Sequence, residues 1–168
     1  MGEHREHAQD APDPQTGLSN DAIVRLLNEL ISVCLDCFVG YSRSASGVHE
    51  RSLKDLFGYY ATRHQHFILD LAGVVQSLGG KPDALGIERF EDCEIKQGWA
   101  NLKDYLNDND IPHVLGECEA AERLMKQIYQ RILAEQLPSN IRNLVQTQYI
   151  SFASFKQQLH AVRRAYMN

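Results

Sequence analysis

No apolar run in this chain of 168 residues approaches the ~20 residues that a membrane-spanning helix needs. The leading stretch, MGEHREHAQDAPDPQTG, has no apolar core of the kind a secretory signal requires, so a cytoplasmic protein without membrane contact is expected. Basic residues are in deficit: 17 Lys and Arg against 22 Asp and Glu leave a net charge of −5. A nucleic-acid partner therefore has no electrostatic support. Strand-like alternation is missing throughout, and no glycine-rich loop follows a strand, which removes the usual nucleotide cradle. Cysteine is sparse, at positions 34, 37, 93 and 118. Three of these fall on expected helices beside apolar neighbours, where a free thiol behaves as a small hydrophobe. Cys34-x-x-Cys37 has a redox spacing, but that motif needs a strand before it and a helix opening at it. Here it lies deep inside a helix and reads as apolar filler.

What the chain does have is helical periodicity. Its 43% hydrophobic and 23% charged content suits one soluble domain with a core that needs no staples. Residues 1–18, polar and with two prolines, are expected to form a flexible N-terminal arm, and residues 19–168 the domain. Ser19 or Asn20 can cap a first helix over about 20–46, with Leu27, Leu30, Ile31, Cys34, Phe38 and Tyr41 as its inward stripe. Gly47 is expected to end it. A second helix follows over about 49–78, with Leu53, Phe57, Tyr60, His64, Phe67, Leu71 and Val75 inward, and Gly79-Gly80-Lys81-Pro82 to stop it. A connection follows that looks helical over about 88–107. Helices over about 111–136 and 139–166 complete the chain, with Pro138 at the corner between them. The last stripe includes Gln148, Phe152, Phe155, Leu159 and Tyr166.

Connection lengths decide the topology. The first two helices are tightly joined, as are the last two, and a long crossover separates the pairs. The expected fold is all-α: a ferritin-like four-helix bundle of two antiparallel helix pairs, with a long crossover containing an extra helix. An ~18-residue helix covers ~27 Å, enough to carry the chain back along the bundle.

These segments also carry a resemblance. Leu27-Asn28-Glu29-Leu30-Ile31 with Asp36 and Gly40-Tyr41 resembles the first helix of an uncharacterised bacterial family of ferritin-like four-helix-bundle proteins. Leu78-Gly79-Gly80 with Pro82, Gly98-Trp99 with Leu102-Lys103, and Glu117-Cys118-Glu119 with Glu122 keep that order and spacing over about residues 23–166. The resemblance implies the bundle, its crossover helix and a distant kinship to iron-binding proteins. It implies no activity.

A ferritin-like di-iron site takes a Glu from each of two helices and a Glu-x-x-His pair from each of the other two. None of the four helices carries Glu-x-x-His, and the last helix has no acidic residue from Ser139 onward. In the family pattern the position of Phe38 is often Glu and that of Lys156 is commonly His, so both departures remove ligands. What remains is a polar layer. His64 projects to the centre of its inward face, Glu117 and Glu122 flank the inward stripe of their helix, and Glu119 faces away. In the ferritin sense, His64, Glu122 and Cys34 fall at similar heights. They form a candidate metal set with Glu117 and Cys118, for iron or zinc. The alternative is a buried histidine bonded to a carboxylate that fixes register, a reading that Gln148 also invites. The leading functional expectation is a non-catalytic bundle without a cofactor that acts through self-assembly, as a homo-oligomer, or through a protein partner. The alternative is a metal-binding protein or oxidase with a reduced ligand set.

Overall fold

The computed structural model describes residues 17–83 and 99–167. The described residues are helical, in the order α1 (Asn20–Gly47), α2 (Arg51–Ser77), α3 (Leu102–Asn107), α4 (Ile111–Leu133) and α5 (Ser139–Met167). None of these helices is long and apolar enough to cross a membrane. Of the helix expected over 88–107, the part before 99 lies outside the described residues, as does Cys93; the remainder contains the short α3.

Local chemistry sets the helix ends. Ser19 caps α1, its hydroxyl accepting from the Ala22 amide at 3.1 Å. The end of α2 is a Schellman turn: the Gly80 amide donates to Val75 O at 2.9 Å and the Gly79 amide to Gln76 O at 3.0 Å. Gly79 takes the left-handed φ of 81° that this turn requires. Asp110 caps α4 by accepting from the His113 amide, and Pro112 sits in its first turn. The first helix ends at Gly47 as expected, but not through a left-handed glycine: Gly47 has no positive φ, and the chain leaves the helix at Val48, in extended backbone with φ −80°. Gly47 is where the Leu106 side chain of α3 lies close to the α1 backbone, so that a Cβ there would meet Leu106 Cδ1 at 2.8 Å.

Side-chain pairings give the directions. Lys54 near the start of α2 donates to the Ala45 carbonyl near the end of α1, and Gly80 just past the end of α2 lies against Val24 near the start of α1, so α1 and α2 run antiparallel. Cys34 meets Tyr129 while Tyr41 meets Glu122, which makes α4 antiparallel to α1. Gln130 and Tyr149 pair near one end of α4 and Glu119 and Arg163 near the other, so α5 is antiparallel to α4. Gln148 with Phe67 and Gln158 with Tyr60 place α5 antiparallel to α2. Helices α2 and α4 therefore point the same way. One core fills the space between the four long helices, with Leu27, Leu30, Phe57, Leu71, Val114, Met125 and Phe152 buried within it.

Trp99 and α3 cover a second side of α1. Trp99 is buried with its ring 5.4 Å from that of Tyr41. It occupies the groove left by Gly40, where an added Cβ would lie 2.2 Å from Trp99 Cε2. Val33 and Cys37, on the same side as Trp99, are buried as well, whereas Phe38, expected to face inward, is only partly so. Tyr166 is a second departure: it is exposed rather than inward and donates its hydroxyl to Glu50 near the start of α2.

Because the contact at Gly40 involves ring atoms against backbone, Gly40→Ala should displace Trp99 and cost about 1–3 kcal/mol. Urea unfolding followed by the fluorescence of the single tryptophan reports both effects, and an unchanged midpoint and emission maximum would contradict the contact.

Candidate functional site

Two polar layers interrupt the apolar core. In the first, Tyr41 on α1 donates its hydroxyl to Glu122 Oε1 at 2.6 Å. His64 on α2 places Nε2 3.5 Å from the same oxygen. Its other nitrogen, Nδ1, lies 2.7 Å from the Tyr60 carbonyl. A carbonyl can only accept, so Nδ1 carries the hydrogen and Nε2 is turned toward Glu122. All three side chains are buried, with His64 at 0% exposure and Glu122 at 1%. His64 Nε2 and Glu122 Oε2 make no hydrogen bond with a described residue.

The second layer is a chain of hydrogen bonds. Gln148 Nε2 donates to the Phe67 carbonyl at 3.2 Å, which turns the amide oxygen toward Tyr129. The Tyr129 hydroxyl donates to that oxygen at 2.7 Å. With the phenolic hydrogen so used, the Cys34 thiol is the donor across the 3.2 Å contact to Tyr129 Oη. The chain touches α1, α4, α5 and α2 in turn. Tyr41 and Cys34 are seven residues apart, and so are Glu122 and Tyr129. One antiparallel register of α1 on α4 therefore satisfies both layers.

Burial dominates the acid–base chemistry here. It pushes the Cys34 thiol from 9.0 up to about 12, against a smaller lowering by the Tyr129 hydroxyl. Cys37, Cys118, Tyr41 and Tyr129 are also held well above their ordinary values by burial, with the Glu122 carboxylate adding to the rise. Cys34, Cys37 and Cys118 are free thiols. Kept protonated and away from water, they are poor nucleophiles.

The five expected metal ligands are only partly assembled. His64 and Glu122 meet. Cys34 is turned to Tyr129 instead. Cys118 lies one turn before Glu122, within electrostatic reach of Tyr41 and Cys37. Glu117 is not with them: it lines a surface groove with Tyr105, His113, Arg123 and Arg163, where partial burial raises its pKa. Among the described residues no three His, Cys, Asp or Glu side chains are arranged to hold a metal ion. Glu119, expected to face outward, is buried with Oε2 3.2 Å from Arg163 Nη1. Gly116 makes this pairing feasible, because the Arg163 guanidinium lies across it, 3.0 Å from where a Cβ would stand. The two tyrosines were the residues that periodicity could not flag, since a tyrosine in an apolar stripe reads as packing. Gln148, the one amide in the stripe of α5, was the visible signal.

The fold and site define an all-helical protein in which four long helices are tied together by internal hydrogen bonds. Residues 22–135 match the family described as Domain of unknown function (DUF2383), and the chain belongs to it. The match covers α1 to α4 and stops before α5. It bears out the resemblance to an uncharacterised family. No curated protein matches the chain.

Two expectations follow. Tyr129→Phe leaves the Cys34 thiol and Gln148 Oε1 without their partner and should cost about 2–4 kcal/mol, more than the loss of one exposed hydroxyl. Adding Gln148→Met to that variant should recover part of the loss, because one orphaned group is then gone; a purely additive double variant would count against the chain. The thiols supply a pH dependence. The folded pKa of Cys34 lies above its ordinary value of 9.0, so ionisation favours the unfolded chain. The burial contribution is intact below pH 9.0 and is lost as pH rises toward about 12. Urea midpoints measured from about pH 8 upward should fall, and less so in Cys34→Ala.

Proposed function

We propose that this protein is a ferritin-like four-helix bundle whose di-iron chemistry has been replaced by structural hydrogen bonding, and that it acts in the cytoplasm by self-assembly or by binding a protein partner. The observation that carries the reading is the second layer. At the level where a ferritin-like core would gather carboxylates, Cys34, Tyr129 and Gln148 satisfy one another and the Phe67 carbonyl. The direction of the helices also supports it. With α1 antiparallel to α2, α4 antiparallel to α5, and α2 and α4 pointing the same way, the order supports a crossover bundle. The donor set points the same way. A di-iron pair needs several carboxylates to balance two hard cations. Helix α5 offers none, and Glu119 is already engaged by Arg163.

One observation favours a second reading, a single metal ion held with a reduced ligand set. The Nδ1 hydrogen bond from His64 to a backbone carbonyl is the arrangement that orients ligating histidines, and it leaves Nε2 beside Glu122. The residues that would hold the ion are His64 and Glu122.

Chain mass in solution and metal content of untagged protein separate the two readings. The assembly reading expects a defined oligomer, or a monomer that captures a specific partner, with substoichiometric metal. Stoichiometric iron or zinc that disappears in His64→Ala would overturn it in favour of the second.

A further inference from the structure

Beside the first polar layer, a groove of about 450 Å³ opens between α4 and α5. Glu122 contributes to its floor, Tyr149 and Phe152 to its walls, and Lys126, Lys156 and His160 to its rim. The tyrosine and phenylalanine rings stand edge to face with centroids 5.4 Å apart, giving the groove an aromatic side. Its size falls within the range of small-molecule sites.

The charges on this groove are opposed. At the floor, Oε1 of Glu122 is held by Tyr41, from the α1 side, while Oε2 has no hydrogen-bond partner among the described residues. A buried carboxylate oxygen in this state calls for a donor. At the rim, neither Lys126 nor Lys156 makes an ion pair with a described residue, and His160 reaches only to Glu119, at 3.5 Å. A simple anion would meet the Glu122 carboxylate, and a simple cation would have to pass two ammonium groups. A ligand that carries both charges meets neither penalty.

We infer that the α4–α5 groove binds a small zwitterion with an apolar or aromatic body, its ammonium directed to Glu122 and its carboxylate to Lys126 and Lys156. The spacing agrees. Glu122 and Lys126 are four residues apart on one helix, ~6 Å along the axis, and the flexible lysine stem adjusts the remainder. Tyr149 and Phe152 would take the body of the ligand and face the ammonium with their rings. Because Glu122 is almost fully covered, binding requires the side chains above it to move aside, which is within the reach of lysines on the rim. The inference rests on the groove and its charges, and not on the assembly reading.

The test is an amide NMR titration of the full chain with three probes of one body: L-phenylalanine, phenethylamine and 3-phenylpropanoate. Phenylalanine should produce saturable shifts centred on Tyr149, Phe152 and Lys156, with an affinity about tenfold above either singly charged probe. Glu122→Gln still accepts from Tyr41, and should reduce phenylalanine to the level of 3-phenylpropanoate. Lys156→Met, altering only the rim, should reduce it to the level of phenethylamine, and it keeps the test decisive if the floor variant does not fold. No saturable shifts, shifts centred elsewhere, or a singly charged probe binding as well as phenylalanine would each overturn the inference.

Discussion

The alignment of the four long helices depends on the chain of hydrogen bonds from the Cys34 thiol through Tyr129 and Gln148 to the Phe67 carbonyl, because this buried chain engages all four of them. A single bond of this kind contributes only about 1 kcal/mol net. Its influence lies in what happens when it is not made. Each group is buried, so any slip of one helix along another leaves a polar atom in apolar surroundings with no water to replace its partner. Apolar packing by itself tolerates a shift of one turn, since leucine and phenylalanine stripes repeat. The polar chain does not.

The first layer repeats this logic with a difference. Its Tyr41–Glu122 pair lies seven residues from Cys34–Tyr129 on both helices, so the two layers reinforce one register. Yet the second layer pairs each of its members, whereas the first leaves Oε2 of Glu122 and Nε2 of His64 without hydrogen bonds among the described residues. Stability alone would favour closing that layer as well, because an orphaned buried group costs about 1–3 kcal/mol. The unpaired Oε2 of Glu122, beside a groove, is therefore the place to look for a ligand, while the satisfied layer is a structural tie.

Much of this architecture was legible in the sequence, for physical reasons that are easily traced. The Ser19 cap, the Gly79 turn and the proline-bounded corner at Pro138 are decided by residues within a few positions of each other, and they are found as expected. His64 and Gln148 stood out as polar residues in apolar stripes, and both prove fully buried. The failures share a cause, which is contact between segments far apart in the chain. Periodicity predicts one buried face for α1 and puts Phe38 on it, but Trp99 covers another face and Cys37 is buried there. Periodicity turns Glu119 outward, and nothing nearby announces Arg163, 44 residues further on. Gly47 stands at the expected helix end, but the contact that calls for glycine there is with Leu106, 59 residues further on. Tyr41 and Tyr129 look apolar in any periodicity count, though their hydroxyls organise both layers.

The distribution of charge in α5 ties these strands together. A helix with no carboxylate, facing a core that holds Glu122 and Glu119, can only supply positive or neutral partners. Arg163 does so directly, neutralising Glu119 across Gly116. Lys156 is different. It lines the groove above Glu122 but forms no ion pair with a described residue, although a lysine stem is long enough to seek out a nearby carboxylate. Had the groove been a remnant of packing, closing it with a Lys156–Glu122 pair would have removed both the void and the orphaned oxygen. An open groove with its charges held apart is a less compact solution than the chain could reach, and a ligand bearing both charges is the simplest agent that would favour it.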